Sequence, residues 1–213
     1  MVSDADRDAE AVIERILLGE RPDDGLLAEE GSHSEGRSGR RWVVDPLDGT
    51  TNFLYGFPAW AVSVALEDSD GGAVGVVCDP VRGETFAAAR GLGSRCNGES
   101  IEVNDPERLG SALIATGFGY DAERRKEQAE RLVAVIPHVR DVRRAGAAAL
   151  DLCWVAAGRI DGYYERGLQP WDWAAGRLIA AEAGAALREL VDEPTGLVAA
   201  SPAIADELFD LVK

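Results

Sequence analysis

The chain has 213 residues, enough for one large domain or two small ones and enough to bury roughly 70% of its unfolded surface without disulfide or metal staples. Hydrophobic residues make up 46% and charged residues 28%, which excludes extensive disorder. A formal net charge of −16 repels nucleic-acid phosphates, and the short basic run Arg37, Arg40, Arg41 reads as a solvated loop, so no nucleic-acid partner is expected.

The apolar residues Ala9, Val12, Ile13, Ile16 and Leu17 recur at helical spacing, and Ser3 with Asp6 forms a capping pattern ahead of them; together they predict a helix over Asp4 to Leu18. A turn at Arg21 to Gly25, a short buried strand at Leu26 to Ala28 and a Gly/Ser-rich loop at Gly31 to Arg40 follow. Trp42 to Val44 then reads as a buried strand running into Asp45. Strand-like runs at Ala61 to Leu66, Ala73 to Cys78, Glu84 to Arg90 and Ser100 to Val103, parted by turn residues, predict a mainly antiparallel meander.

Beyond Asn104 the pattern alternates: strand at Ala112 to Thr116, helix at Ala122 to Ile136, strand at Val139 to Val142, helix at Ala147 to Ala156, strand at Ile160 to Tyr164. Pro170 ahead and Gly184 behind bracket a helix at Trp171 to Ala183. Two short strands near Leu187 and Leu197 and a helix from Pro202 to Val212 close the chain. The expected organisation is an α+β half over 1–106 with a mainly antiparallel sheet and an α/β half over 107–213, forming one compact unit.

Cys78, Cys96 and Cys153 are widely spaced, with no CxxC or Cys/His grouping, and read as free thiols of a reducing cytoplasm. The acidic first residues carry no apolar signal region, and no segment approaches the roughly 20 apolar residues of a membrane span, so the chain is expected to be soluble and cytoplasmic, with no membrane partner.

The chemistry lies in three acidic segments. In Asp45-Pro46-Leu47-Asp48-Gly49-Thr50-Thr51-Asn52-Phe53, two carboxylates three residues apart can converge on one hard cation. Pro46 and Gly49 could turn the Leu47 carbonyl inward and expose the Gly49 and Thr50 amides to a phosphate. Alone, the motif is equally an Asp-Pro, Asp-Gly turn. Glu29-Glu30 could be a solvated pair, and Asp172, between Trp171 and Trp173 at a helix start, an ordinary cap.

Taken together, WVVDPLDGTTNF and PWDWAAGRLIAAEAGA resemble the two signatures of the inositol monophosphatase family, and AEEG, RCNGESIEV, RRAGAAALDLC and DGYYERG extend the similarity over nearly the whole chain. The resemblance implies a layered α/β fold of alternating helix and sheet layers, shared with fructose bisphosphatases, and a lithium-sensitive phosphatase using two or three Mg2+ ions. It assigns Glu29, Asp45 and the Leu47 carbonyl to one metal and Asp45, Asp48 and Asp172 to another. Asp6 and Thr50 match the pair that polarises the attacking water, with Glu29 positioning that water. Glu165 matches a contact to a substrate hydroxyl, and Gly146, Ala147 and Ala148 match a substrate-side loop; Leu47, Asp48, Gly49, Thr50 and Asp172 also face substrate. A small phosphorylated polyol or sugar, first inositol 1-phosphate, is the implied substrate, and a homodimer the implied assembly.

Fructose 1,6-bisphosphate, histidinol phosphate and adenosine bisphosphate are rival substrates, and a non-catalytic module that keeps the metal site is the rival of another class. His33 and His138 fall outside the matching motifs and read as surface residues; Trp171 and Trp173 read as packing residues. Two departures stand out. Relatives carry a further helix and a lysine-bearing loop ahead of the segment matching Val2 to Ile16, which is expected to leave Ala9, Val12, Ile13 and Ile16 without their usual cover; a misassigned start, a covering subunit and a loosened site compete as explanations. Ala147 replaces the family's threonine and removes a hydroxyl.

Overall fold

A computed structural model describes residues 3–213. Helix α1 (Asp4–Glu20) is followed by β1 (Gly25–Ala28), β2 (His33–Ser34), β3 (Arg41–Asp48), α2 (Thr50–Tyr55), β4 (Ala61–Asp68), β5 (Gly71–Asp79), β6 (Glu84–Ala89), β7 (Ser94–Cys96) and β8 (Glu99–Ile101). The remainder comprises β9 (Leu113–Thr116), α3 (Ala122–Val135), β10 (Asp141–Arg143), α4 (Ala148–Ala156), β11 (Gly162–Arg166), α5 (Pro170–Glu182), β12 (Ala186–Leu190), β13 (Gly196–Ala200) and α6 (Ala205–Val212).

The strands form two sheets, in the orders β2-β1-β3-β4-β5-β6-β7-β8 and β10-β9-β11-β13-β12. The first is antiparallel except for the β1–β3 pair. The second is mixed, with β9 parallel to β10 and β11 and the β11-β13-β12 edge antiparallel. Adjacent strand residues face opposite sides. Val44 packs with Leu26, Ala28 and the α1 residues Ile13, Leu17 and Leu18, whereas Val43 joins Ala61, Ala65, Phe86 and the α4 and α5 residues Leu150 and Ile179. The opposite side of α4 meets the second sheet through Leu152, Val155 and Tyr163, and the far side of that sheet is covered by α6 through Leu208 and Val212. The layers therefore run helix, sheet, helix pair, sheet, helix.

Close packing of the central layer depends on two glycines. A Cβ on Gly75 of β5 would lie 2.8 Å from the Ala175 carbonyl oxygen, and one on Gly176 would lie 2.8 Å from Leu152 Cβ. The bare backbone lets α5 lie directly on the first sheet and against α4.

Several elements differ from the sequence expectation. The Gly31–Arg40 loop contains the two-residue strand β2, α2 and β7 were not anticipated, and β3 does not stop at Val44 but continues through Asp48. β8 lies at Glu99–Ile101, β10 at Asp141–Arg143 after a 3-10 turn at Ile136–His138, and α6 begins at Ala205 after turn residues. β11 is shifted towards the C-terminus, so Glu165 belongs to the strand. Cys78, Cys96 and Cys153 are free, and both histidines are exposed. No helix among the described residues is long and apolar enough to cross a membrane.

Candidate active site

Asp45 and Asp48 share one side of β3 because the strand is irregular between them. Asp45 pairs with Ser63 and Asp48 with Ala61, so three steps along β3 oppose two along β4. In a regular strand residues three apart face opposite sides; the extra residue of a bulge returns the second to the side of the first. Pro46, which cannot donate to a ladder, occupies this irregular stretch, where its missing N–H costs nothing. Asp45 Oδ1 accepts from Leu47 N at 2.9 Å, and Asp48 Oδ2 accepts from Ala149 N, in the first turn of α4, at 2.7 Å. Each carboxylate thus has one oxygen engaged with backbone.

Thr50 Oγ1 lies 3.1 Å from Asp6 Oδ1 and 3.2 Å from the Leu47 carbonyl oxygen. Asp6 is the anticipated capping partner, accepting from Ser3 N at 2.7 Å, so one fully buried side chain both caps α1 and faces Thr50. A turn further along α1, Glu10 accepts from Glu30 N at 2.8 Å and Ser32 N at 2.9 Å, and Glu14 accepts from Ser32 Oγ at 3.0 Å. Helical spacing of four places Asp6, Glu10 and Glu14 on one face. This acidic rail ties the Glu29 turn to α1, and sequence reasoning missed it because attention stayed on the apolar stripe. Of that stripe, Ile13 packs inward while Val12 and Ile16 remain 45% and 55% exposed.

The loop Gly146-Ala147-Ala148 lies beside Gly49. A Cβ on Gly49, whose φ of +89° already demands glycine, would sit 3.3 Å from Ala147 Cβ and 3.0 Å from the Ala59 carbonyl oxygen. Asn52 Nδ2 donates to the carbonyls of Ala59 at 2.6 Å and Ala145 at 2.9 Å, fastening this loop to α2. Asp172 Oδ2, at the start of α5, accepts from Gln169 N at 2.6 Å. Glu165 Oε2 accepts from the Tyr163 hydroxyl at 2.7 Å and lies where a Gly117 side chain would be. Trp171 and Trp173 pack partly against the central core clusters, and Trp171 also lines the cleft.

A cleft of about 430 Å³, a volume typical of small-molecule pockets, is lined by Glu29, Asp48, Gly49, Gly146, Ala148, Glu165 and Asp172. Electrostatics couple its acids. The Asp45 carboxyl is pushed well above the ordinary range by burial, then by Asp48, Glu29 and Asp172. Burial likewise raises Asp48, with Asp172 adding to it and the Ala149 amide opposing. Asp172 is raised to about 6 by burial, with the Gln169 amide opposing, and Glu165 is raised by burial, with the Tyr163 hydroxyl and Arg144 opposing. Asp151, a buried α4 carboxyl that sequence reasoning passed over, is pushed well up by burial, then by Glu165 and Asp48, and its Oδ1 has no hydrogen-bond partner.

The acids share the cleft without closing on a point: among the described residues no three His, Cys, Asp or Glu side chains converge in the manner of metal ligands. Their chemistry nonetheless fits a hard divalent cation. The donors are all oxygen, mostly buried, and none of Glu29, Asp45, Asp48 or Asp172 takes part in an ion pair among the described residues.

Residues 1–210 match the family model described as the inositol monophosphatase family. The chain belongs to the inositol monophosphatase family. It is 46% identical to an inositol-1-monophosphatase SuhB of Mycobacterium tuberculosis, over 98% of this chain and 76% of that protein, and 41% identical to a Nus factor SuhB of Vibrio cholerae, over 94% and 78%. Among solved structures, the suhB protein of Bartonella henselae superposes with a TM-score of 0.94 at 40% identity, covering 100% of this chain and 84% of that one. An inositol monophosphatase from Anabaena gives 0.93 at 37%, covering 99% and 86%. The layered α/β architecture and phosphoric monoester hydrolase class expected from the sequence are therefore those of this inositol monophosphatase family member, and the family as a whole is generally metal-dependent.

Proposed function

We propose that the protein is a Mg2+-dependent phosphatase of small polyol or sugar phosphates, with inositol 1-phosphate its first substrate. The observation that carries this reading is the set of uncompensated carboxylates, Glu29, Asp45, Asp48 and Asp172, gathered around one cleft beside the Thr50–Asp6 pair. Glu29, Asp45 and the Leu47 carbonyl would hold one ion, and Asp45, Asp48 and Asp172 a second. Two such ions, when bound, acidify water and offset the negative charge that gathers on a phosphoryl group during in-line displacement.

The remaining roles fall to this chain's own atoms. The Thr50 hydroxyl has Asp6 and the Leu47 carbonyl within reach; donating to Asp6, it leaves an oxygen lone pair to accept from the attacking water, and Glu29 accepts that water's other hydrogen. Water attacks phosphorus and passes one proton by way of Thr50 to Asp6, the P–O bond to the polyol breaks on the opposite side, and the departing oxygen takes its proton from solvent, to which Asp6 returns the one it received. Glu165 accepts from a substrate hydroxyl, its orientation fixed by Tyr163, and the Gly49 and Gly146–Ala148 segments shape the wall next to the phosphoryl group. Ala147 offers no hydroxyl there, so selectivity rests on Glu165 and on residues further along the cleft.

A substrate panel with magnesium tests the reading: inositol 1-phosphate, fructose 1,6-bisphosphate, histidinol phosphate and adenosine bisphosphate. Release of phosphate from inositol 1-phosphate, lost in Asp45→Asn with the fold intact, is the expected result. Magnesium binding with no phosphate release from any of the four refutes catalysis in favour of a binding module. A homodimer is proposed on the family likeness alone and is read by sedimentation.

A further inference from the structure

A second, much smaller cavity lies where the second sheet meets α3 and α6. Thr116 of β9, Tyr164 and Arg166 of β11, Gln128 and Arg131 of α3 and Val212 of α6 line it. Its volume is about 10 Å³, which suits one water-sized ligand and excludes a sugar phosphate.

Tyr164 and Arg166 stand two apart on β11 and so present their side chains on one face of the strand. They are only 5% and 6% exposed, and each keeps a buried donor with no hydrogen-bond partner: the Tyr164 hydroxyl and Arg166 Nε. The rest of the Arg166 guanidinium meets neutral oxygens alone. Nη1 donates to the Asp192 carbonyl at 2.9 Å and the Pro194 carbonyl at 3.1 Å, and Nη2 to the Val212 carbonyl at 3.4 Å. Arg131 brings a second positive charge to the cavity, its Nη1 donating to the carbonyls of Val212 and Lys213, each at 3.0 Å. Burial, then Arg131, weakens the Arg166 guanidinium's hold on its proton, with Asp192 opposing.

Neither arginine forms an ion pair with an Asp or Glu side chain among the described residues. Glu165 also borders the cavity, but its Oε2 is taken by the Tyr163 hydroxyl, and the guanidinium that offsets its charge is that of Arg144. A buried cation whose hydrogen-bond partners are all neutral is costly. Water could accept from the two unpartnered donors; an anion would accept from both and also balance the charge.

We propose that this cavity is a binding site for a single halide-sized anion such as chloride, received by the Tyr164 O–H and the Arg166 Nε–H. Tyr164 and Arg166 bracket Glu165 on β11, so the bound anion braces the strand segment that carries this carboxylate. The site does not depend on the phosphatase reading.

Two measurements that use no turnover test it. In crystals of the protein grown in excess sodium bromide, anomalous density for bromide is expected between Tyr164 Oη and Arg166 Nε. Thermal melts then compare sodium chloride with sodium gluconate at equal ionic strength, gluconate being too large for the cavity. Chloride should raise the parent's melting temperature saturably. In Tyr164→Phe the half-saturating chloride concentration should rise about tenfold, the loss of one hydrogen bond to a charged group. In gluconate that variant should melt no lower than the parent, because the lost hydroxyl has no protein partner. Absence of bromide density from the cavity, or a chloride response in Tyr164→Phe equal to the parent's, overturns the site.

Discussion

Replacing Asp172 by asparagine separates the cost of the acidic cluster from its use. In metal-free protein the Asp172 carboxyl is held at about 6 against an ordinary 3.8, chiefly by burial. Two pH units at about 1.4 kcal/mol each set an upper bound of ~3 kcal/mol on the penalty of ionising it at pH 7.5, reduced by its residual contact with solvent to ~1–3 kcal/mol. Because the folded-state value is raised, the penalty is fully present above pH 6, shrinks as pH falls through 6 and vanishes below 3.8. Asparagine keeps an oxygen to accept from Gln169 N, so the start of α5 survives. Asp172→Asn in EDTA at pH 7.5 should therefore melt about 2–10 °C above the parent, a gain that narrows towards pH 5. Magnesium should raise the parent's melting temperature and raise the variant's less. Scanning calorimetry reads all four states; a variant less stable than its parent in EDTA, or one with an undiminished magnesium response, refutes the reasoning.

Three further outcomes follow from the geometry. Glu10→Ala frees the amides of Glu30 and Ser32 and should cost about 2–3 kcal/mol of stability, with a raised magnesium half-saturation, because the Glu29 turn loses its hold on α1; Glu10→Gln, which keeps one acceptor, should fall between, as thermal melts and magnesium titrations will show. Gly75→Ala sets a methyl 2.8 Å from the Ala175 carbonyl oxygen and should destabilise by about 1–3 kcal/mol in urea unfolding, with little change in substrate selectivity. Asp45→Asn should abolish turnover while the metal-free chain melts no lower than the parent, since it removes a carboxylate already strained by burial and three like charges; a residual rate near parental would overturn the assignment of Asp45.

Where the sequence repeats a helical period, as in α1, or brackets a helix with start and stop residues, as in α5, the structure follows it closely. The elements that were not legible are short. α2 spans six residues between Gly49 and Gly56, both left-handed, and has no room for a helical period to show itself. β2 and β7 have two and three residues and form only because a neighbouring strand is already there to pair with. At the site, acids in recognisable motifs were legible, whereas Glu10 and Asp151 were not. Glu10 sits among other charges on an exposed-looking helix, and its burial comes only from the turn packed on it. Asp151 looks like one polar residue in an apolar helix.

The single surplus residue between Asp45 and Asp48 makes the site depend on the length of this segment. Substitutions at Pro46 or Leu47 change what the chain is made of and leave the number of steps between the two acids as it was. Removing either residue would leave two steps opposite two, a regular pairing that keeps both carboxylates on one side but erases the bulge and with it the turn at Leu47 whose amide and carbonyl meet Asp45 and Thr50. The spacing of this segment is for that reason far less forgiving than its composition, and length variants belong in the neighbouring Gly31–Arg40 loop instead.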